Sequence, residues 1–217
     1  MPEKKRIPLF PLGVVLLPGL PLPLHIFEER YKQMIAECLE REDVFGLVAY
    51  NGTEIKSAGC TARIIEVLKR YEDGRLDIMT VGERRFVISE KDESKTYLQG
   101  WVEFFDDEEE ELEDRDRELA LKGLILHNEL ARLLSAEAPY DGSGAMELKE
   151  ISFVLAGSQG FSLDEKQAFL EMTSTRQRIR KAVPALEKLI ERYKLTLEIK
   201  RIIGGNGHPP SVLGERE

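Results

Sequence analysis

The stretch that decides the fold is Pro21 to Met34, "PLPLHIFEERYKQM". In its first half Leu22, Leu24 and Ile26 alternate with Pro21, Pro23 and His25, the two-residue period of a strand that buries one face. From Glu28 the period changes. Tyr31, Met34, Ile35, Cys38 and Leu39 recur at three- and four-residue spacing, the stripe of an amphipathic helix with charged residues opposite. The switch from one period to the other passes through His25, Phe27, Glu28, Arg30 and Tyr31, which form either a reactive cluster or a structural joint. A reactive cluster needs His25 and Glu28 to converge, because a near-neutral imidazole beside a carboxylate is the smallest acid/base pair available. The joint is the more economical reading. Glu28 falls where a negative charge meets the positive end of a helix dipole, His25 hydrogen-bonds in the strand-to-helix corner, Arg30 pairs with an acidic neighbour and Tyr31 packs inward.

Upstream, Leu9 to Ile26 is apolar but contains Pro11, Pro18, Pro21 and Pro23, which would interrupt a spanning helix repeatedly. No small-residue cleavage site follows it, so a cytoplasmic location is expected. The 217 residues suffice for one large domain or two small ones, and 42% hydrophobic content supports a packed core. A net charge of -9 opposes a nucleic-acid backbone as the default partner, since that function shows as clustered Lys and Arg. Cys38 and Cys60 stand far apart, without metal-ligand spacing, and suit reduced thiols in an intracellular chain. No metal or other cofactor is expected.

Between Arg6 and about Phe105 six β-prone runs are separated by turn signals: "IPLFPLGVVLLPG", "LPLHIF", "DVFGLVAYN", "CTARIIEVLKRY", "RLDIMTVGERRFVIS" and "YLQGWVEFF". They predict a curled sheet or barrel interrupted by one helix. Asp73-Gly74 in "RYEDGRL" reads as a tight hairpin turn that needs positive φ. From about Asp114 the pattern becomes helical. Leu119 to Leu134 predicts one helix and "MELKEISFVLAG" a second, ended by Gly157. "SLDE" at Ser162 and "STRQ" at Ser174 spell two capping boxes. The last helix is predicted over Thr175 to Ile203, with Pro184 as a kink point and Gly204-Gly205 as its stop. The expected organisation is 1–113 barrel, 114–203 helical bundle and 204–217 disordered tail.

In this order and spacing, "IPLFPLGVVLLPGLPLPLHIFEERYKQMI", "SAGCTARIIEVLKRYEDGRLDIMTVGERRFVI" and "GFSLDEKQAFLEMTSTRQRIRKAVPALEKLIER" resemble the N-terminal, substrate-binding domain of Lon proteases, especially the version found as a free-standing bacterial protein. The resemblance spans about Ile7 to Ile203. It implies an α+β fold, a PUA-like β-barrel of about six strands with one embedded helix, followed by a helical bundle ending in a long helix. It also marks His25, Phe27, Glu28, Arg30, Tyr31, Gly74, Gly82, Arg85 and Phe86 as structural motif positions. Full Lon proteases continue into an ATPase and a Ser-Lys protease domain. This chain carries no "GxxxxGK[ST]" phosphate loop, so nucleotide hydrolysis is not expected, and no peptidase dyad can be assigned.

"AGSQG" at Ala156 to Gly160 approaches a nucleophile elbow, but Ala156 stands where Gly is required and Ser158 follows a helical pattern instead of a strand. The run "DDEEEELEDRDRE", Asp106 to Glu118, reads as a solvated linker between the two halves. Arg84 and Arg85 offer an RNA-binding alternative for a PUA-like barrel, and His25 with Glu28 a small-hydrolase alternative. The reading adopted is a non-catalytic, cytoplasmic module that binds unfolded or tagged polypeptides, or a specific protein such as a protease for which it serves as an adaptor in quality control. Its expected contact is the proline-stiffened loop "VVLLPGLPL", with Leu16, Leu17, Leu20 and Leu22 as peptide-binding side chains.

Overall fold

The computed structural model describes residues 4–134 and 146–205. Every β-prone run becomes a strand: β1 (Lys4–Leu12), β2 (Pro21–Ile26), β3 (Phe45–Tyr50), β4 (Ile55–Arg70), β5 (Leu76–Asp92) and β6 (Gln99–Phe105). The strands pair in the order β2-β5-β4-β3-β1-β6, and β6 pairs with β5 as well, which closes β1, β3, β4, β5 and β6 into a ring. Closure is possible because β5 has 17 residues and two pairing halves. Leu76–Val81 pairs with β2 and Arg85–Asp92 with β6. Three register shifts in the β4–β5 ladder supply the bending that a closed sheet needs. Ile7, Leu9, Val48, Phe86 and Val102 fill the interior of the ring.

Gly82 lies between the two halves of β5. A Cβ there would stand 2.3 Å from the Leu17 carbonyl oxygen, so only glycine allows the β1–β2 loop to dock. The docking is made by Gly19 N–H to Gly82 C=O at 2.8 Å and Gly82 N–H to Leu20 C=O at 3.0 Å. Thus the run "IPLFPLGVVLLPG" is a strand only as far as Leu12, and its second part is a loop bound to the barrel wall. The Asp73-Gly74 hairpin is wider than a two-residue turn. Residues 71–75 separate the last ladder pair, Arg70 with Leu76, and Gly74 holds φ +82°.

The embedded helix is α1 (Glu29–Arg41), whose buried residues Tyr31, Met34, Ile35 and Cys38 pack on the outside of the barrel. Phe10 meets the Tyr31 ring at 4.2 Å and the Phe45 ring at 6.1 Å. The remaining helices are α2 (Asp114–Leu133), α3 (Leu148–Ala156), α4 (Leu163–Glu171) and α5 (Thr175–Gly205). Ser162 caps α4 in the expected box with Glu165, and the Ser174 hydroxyl accepts from Gln177 N–H at the start of α5. The helix α5 runs through Pro184 and includes Gly204 and Gly205, the first two residues of the expected tail, and the rest of that tail, 206–217, lies outside the described residues. One apolar cluster joins Phe10, Leu16, Leu17 and Ile26 to Phe153, Phe169, Ile179 and Leu186.

The acidic run is not the solvated linker that its composition suggests. The Asp107 side chain is 6% exposed and receives both guanidinium groups of the core: Arg85 Nη2 at 2.5 Å and Arg178 Nη2 at 2.6 Å. Arg85 and Arg178 are 2% and 0% exposed. Their remaining N–H groups donate to the carbonyls of Phe169, Leu170 and Met172, at the C-terminal end of α4, and to Ser152 Oγ. Glu110 accepts from Ser174 Oγ and from Arg176 N–H at the start of α5, where the helix dipole favours a carboxylate. Asp116 takes Arg176 and Arg180. The excess of acid in this segment is matched by the basic first turns of α5, a pairing that composition counted locally does not reveal.

Burial alone would push the Asp107 carboxyl up. Hydrogen bonds from Arg178 and Thr175 and the nearby guanidinium charges outweigh it and hold the pKa below the usual value of 3.8. A carboxylate with a depressed folded pKa stabilises the fold fully above its unfolded value, and that contribution is lost as pH falls through the folded one. Asp107→Asn strands two buried cations and is expected to cost about 3–5 kcal/mol at pH 7 in urea denaturation. The gap to the parent protein should narrow below pH 3.8.

Candidate functional site

The four leucines singled out in the β1–β2 loop divide into two pairs. Leu16 and Leu17 are 3% and 1% exposed and belong to the core, so they cannot be the side chains a ligand meets first. Burial follows from the backbone bonds at Gly82, which turn the loop inward at this point. Leu20 and Leu22 are half-buried and stand in one wall of a groove of about 280 Å³, with Val14, Val15 and the edges of Leu16 and Leu17. The opposite wall is the α3–α4 corner: Gly157, Phe161, Leu163 and Lys166. Such a groove takes one or two apolar side chains, and not a larger compact ligand.

Gly157 sets the width of the groove. A Cβ there would lie 2.2 Å from Leu20 Cδ1. Lys166 is the only ionisable residue among the lining residues, and its pKa is lowered by burial. The acidic neighbours on α4 are occupied elsewhere, Glu165 with Ser162 and Asp164 with Lys56 at 3.9 Å.

His25 and Glu28 are not brought together. In the β2–β5 register His25 faces Asp77, and its Nδ1 stands 2.5 Å from Asp77 Oδ1, while Tyr71 donates to the other carboxylate oxygen at 2.8 Å. The imidazole stacks on the exposed Phe27 ring at 5.9 Å. The Glu28 carboxylate accepts from Arg30 at 2.8–2.9 Å, and Arg30 lies over the ring of the buried Tyr31. Asp77 and Tyr71 were the missed members of this corner. The hairpin at Gly74 was the available signal, because it places β5 antiparallel to β4 and delivers Asp77 to the strand end. Phe86 is buried inside the barrel.

Arg85 is likewise unavailable to a nucleic-acid backbone, since its guanidinium is enclosed with Asp107. Arg84 packs over the Phe104 ring at 3.9 Å. The RNA alternative therefore loses one of the two cations on which it rested. Ser158, in the near-miss elbow, is buried after α3, and its hydroxyl donates to Leu155 C=O at 2.7 Å. His127 Nδ1 lies 2.7 Å from Ser158 Oγ. Because the hydroxyl hydrogen is given to the carbonyl, the imidazole serves as donor here, the reverse of what a general base for Ser158 requires. Cys38 and Cys60 are free and buried, and burial pushes both thiols up to about 12, which makes them inert packing groups. Among the described residues no group of three or more His, Cys, Asp and Glu could hold a metal ion, and no helix is long and apolar enough to cross a membrane.

The geometry defines a class, a small closed barrel carrying a helical bundle, with a recessed apolar groove where the two meet. Residues 6–188 match the family described as the ATP-dependent protease La (LON) substrate-binding domain, and the chain belongs to that family. Lon protease 2 of Myxococcus xanthus is 26% identical over 215 residues, covering 92% of this chain and 25% of the relative. Lon protease of Parabacteroides distasonis is 31% identical over 121 residues, 52% of this chain and 15% of the relative. The chain thus spans about a quarter or less of the length of these proteins. Among solved structures, the Lon N-terminal domain protein from Xanthomonas campestris superposes with a TM-score of 0.63 at 24% identity, covering 82% of this chain and 96% of that one. The N-terminal domain of the Mycobacterium avium complex Lon protease gives 0.65 at 19% identity, over 84% and 98%. These two likenesses establish the fold.

Burial lowers the His127 pKa below 6.5, so the folded state holds the ring neutral; its contribution is complete above pH 6.5 and is lost as pH falls toward the lower folded value. Ser158→Ala removes the Nδ1 partner and is expected to cost about 1–3 kcal/mol in urea denaturation. A serine-directed fluorophosphonate should leave Ser158 of the folded protein unmodified.

Proposed function

We propose that this chain recognises polypeptides, accepting an exposed apolar segment in the groove between the β1–β2 loop and the α3–α4 corner, and does no chemistry on them. The observation that carries this reading is the groove itself, walled by Leu20, Leu22, Phe161 and Leu163 at the junction of barrel and bundle. Membership of a family of substrate-binding domains supports it. The loop wall is held by two backbone hydrogen bonds and stiffened by Pro18 and Pro21, so little conformational freedom is lost when a ligand enters. The proposal includes a cytoplasmic location and an adaptor role, in which the captured polypeptide is presented to a protease. It also includes the division into a barrel unit, 1–113, and a helical unit, 114–203.

Fluorescence anisotropy of a labelled, permanently unfolded polypeptide, beside a labelled single-stranded RNA, tests the reading. Saturable polypeptide binding that survives moderate salt is expected; RNA binding that collapses with salt, with no polypeptide binding, would overturn it. Gly157→Ala narrows the groove against the flexible end of Leu20. It should weaken binding about tenfold or more, about 1.4 kcal/mol, while leaving the melting temperature within a few degrees of the parent. Leu22→Asp, at a half-buried strand position, should weaken binding in the same way.

A further inference from the structure

Lys166 is an anomaly in the groove. It lines an otherwise apolar cleft, and among the described residues it makes no ion pair or hydrogen bond through its ammonium group, although the chain carries 40 acidic residues against 31 basic ones. The other described cations of the helical half that lack an ion pair, Arg117, Arg132, Lys181, Lys188, Arg192, Lys200 and Arg201, are all exposed to water, whereas Lys166 is half-buried. The lysine sits one turn into α4, where its backbone N–H bonds Ser162 C=O, and it lines the groove together with Phe161 and Leu163. A partly desolvated cation without a counter-charge costs stability, and that cost is offset when a ligand supplies the anion.

We propose that the groove takes the C-terminus of a polypeptide, with an apolar last side chain between Leu20, Leu22 and Phe161 and the free α-carboxylate on the Lys166 ammonium. This deepens the polypeptide-binding reading and rests on it. Two features favour a terminal carboxylate over the side chain of an internal Asp or Glu. At about 280 Å³ the groove has room for one or two side chains, and in a terminal Leu, Val or Phe the carboxylate is attached to the same Cα as the apolar group. An internal acidic residue carries its charge on a second side chain and so has to seat two side chains, the most that the groove admits, where a terminal residue seats one. The acidic surface of the chain also disfavours acidic segments lying across it, whereas a single terminal charge meets only its partner.

The test uses the full chain and an N-terminally labelled apolar peptide ending in Leu, as free acid and as C-terminal amide. An amidated version with an internal Glu next to the last residue is the third ligand. The free acid is expected to bind at least tenfold more tightly than either amide, and Lys166→Met, which keeps the stem and removes the charge, is expected to erase the difference. Equal binding of acid and amide overturns the inference and leaves the polypeptide reading standing. So does equal binding of the free acid and the internal-Glu amide. If neither form of the peptide binds, the inference is overturned, and the unfolded polypeptide measured in parallel decides whether the wider reading falls with it. The comparison of acid with amide on the parent protein does not depend on the variant folding.

Discussion

The arrangement of the molecule depends on one buried carboxylate held between two buried guanidinium groups. Asp107 leaves the barrel directly after β6 and accepts from Arg85 of β5 and Arg178 of α5. Two cations and one anion out of water would be a poor arrangement by themselves. Here the surplus N–H groups end on carbonyls at the last turn of α4, which are the orphan acceptors and the negative end of that helix. Both guanidinium groups also lie over the Phe153 ring, at 5.2 and 3.9 Å, and Arg85 over Phe105 at 4.6 Å. One network therefore ties the barrel wall to α3, the end of α4 and the start of α5. It fixes the α3–α4 corner against the barrel, and that corner is the far wall of the groove.

Much of this architecture was legible from residue order. The alternation in "LPLHIF" and the three- and four-residue spacing from Tyr31 give β2 and α1, and the Ser162 box gives the start of α4, because each is decided by residues close in sequence. What sequence reading missed is what depends on distant partners. By composition Asp107 is one more charge in a solvated run, and only the approach of Arg85, 22 positions away, and of Arg178, 71 positions away, encloses its carboxylate. For His25 local spacing offered only Glu28, three positions on, as the partner in the rejected acid/base pair, and the joint reading placed a hydrogen bond in the corner without naming its partner. Across the ladder its partner is Asp77, 52 positions away.

The loop leucines show the same limit at finer scale. "VVLLPGLPL" is apolar at nearly every position, so composition cannot say which side chains face inward. The deciding feature is the pair of backbone hydrogen bonds at Gly82, made possible because that residue has no side chain to strike the Leu17 carbonyl. The docked segment sends Leu16 and Leu17 into the core and leaves Leu20 and Leu22 half-exposed.

The groove thus has walls fixed by unrelated means, one by main-chain bonds to a strand glycine and the other by a charge network some distance behind the surface. A cleft whose walls are set from behind does not need a ligand to form, and binding energy is then spent on contact instead of on ordering the site. Lys166 is left without a counter-charge on its own helix because Glu165 is held by Ser162 in the capping box and Asp164 lies 3.9 Å from Lys56. The cation is left facing an apolar cleft, an arrangement that favours a ligand bringing one negative charge and one apolar side chain on the same residue.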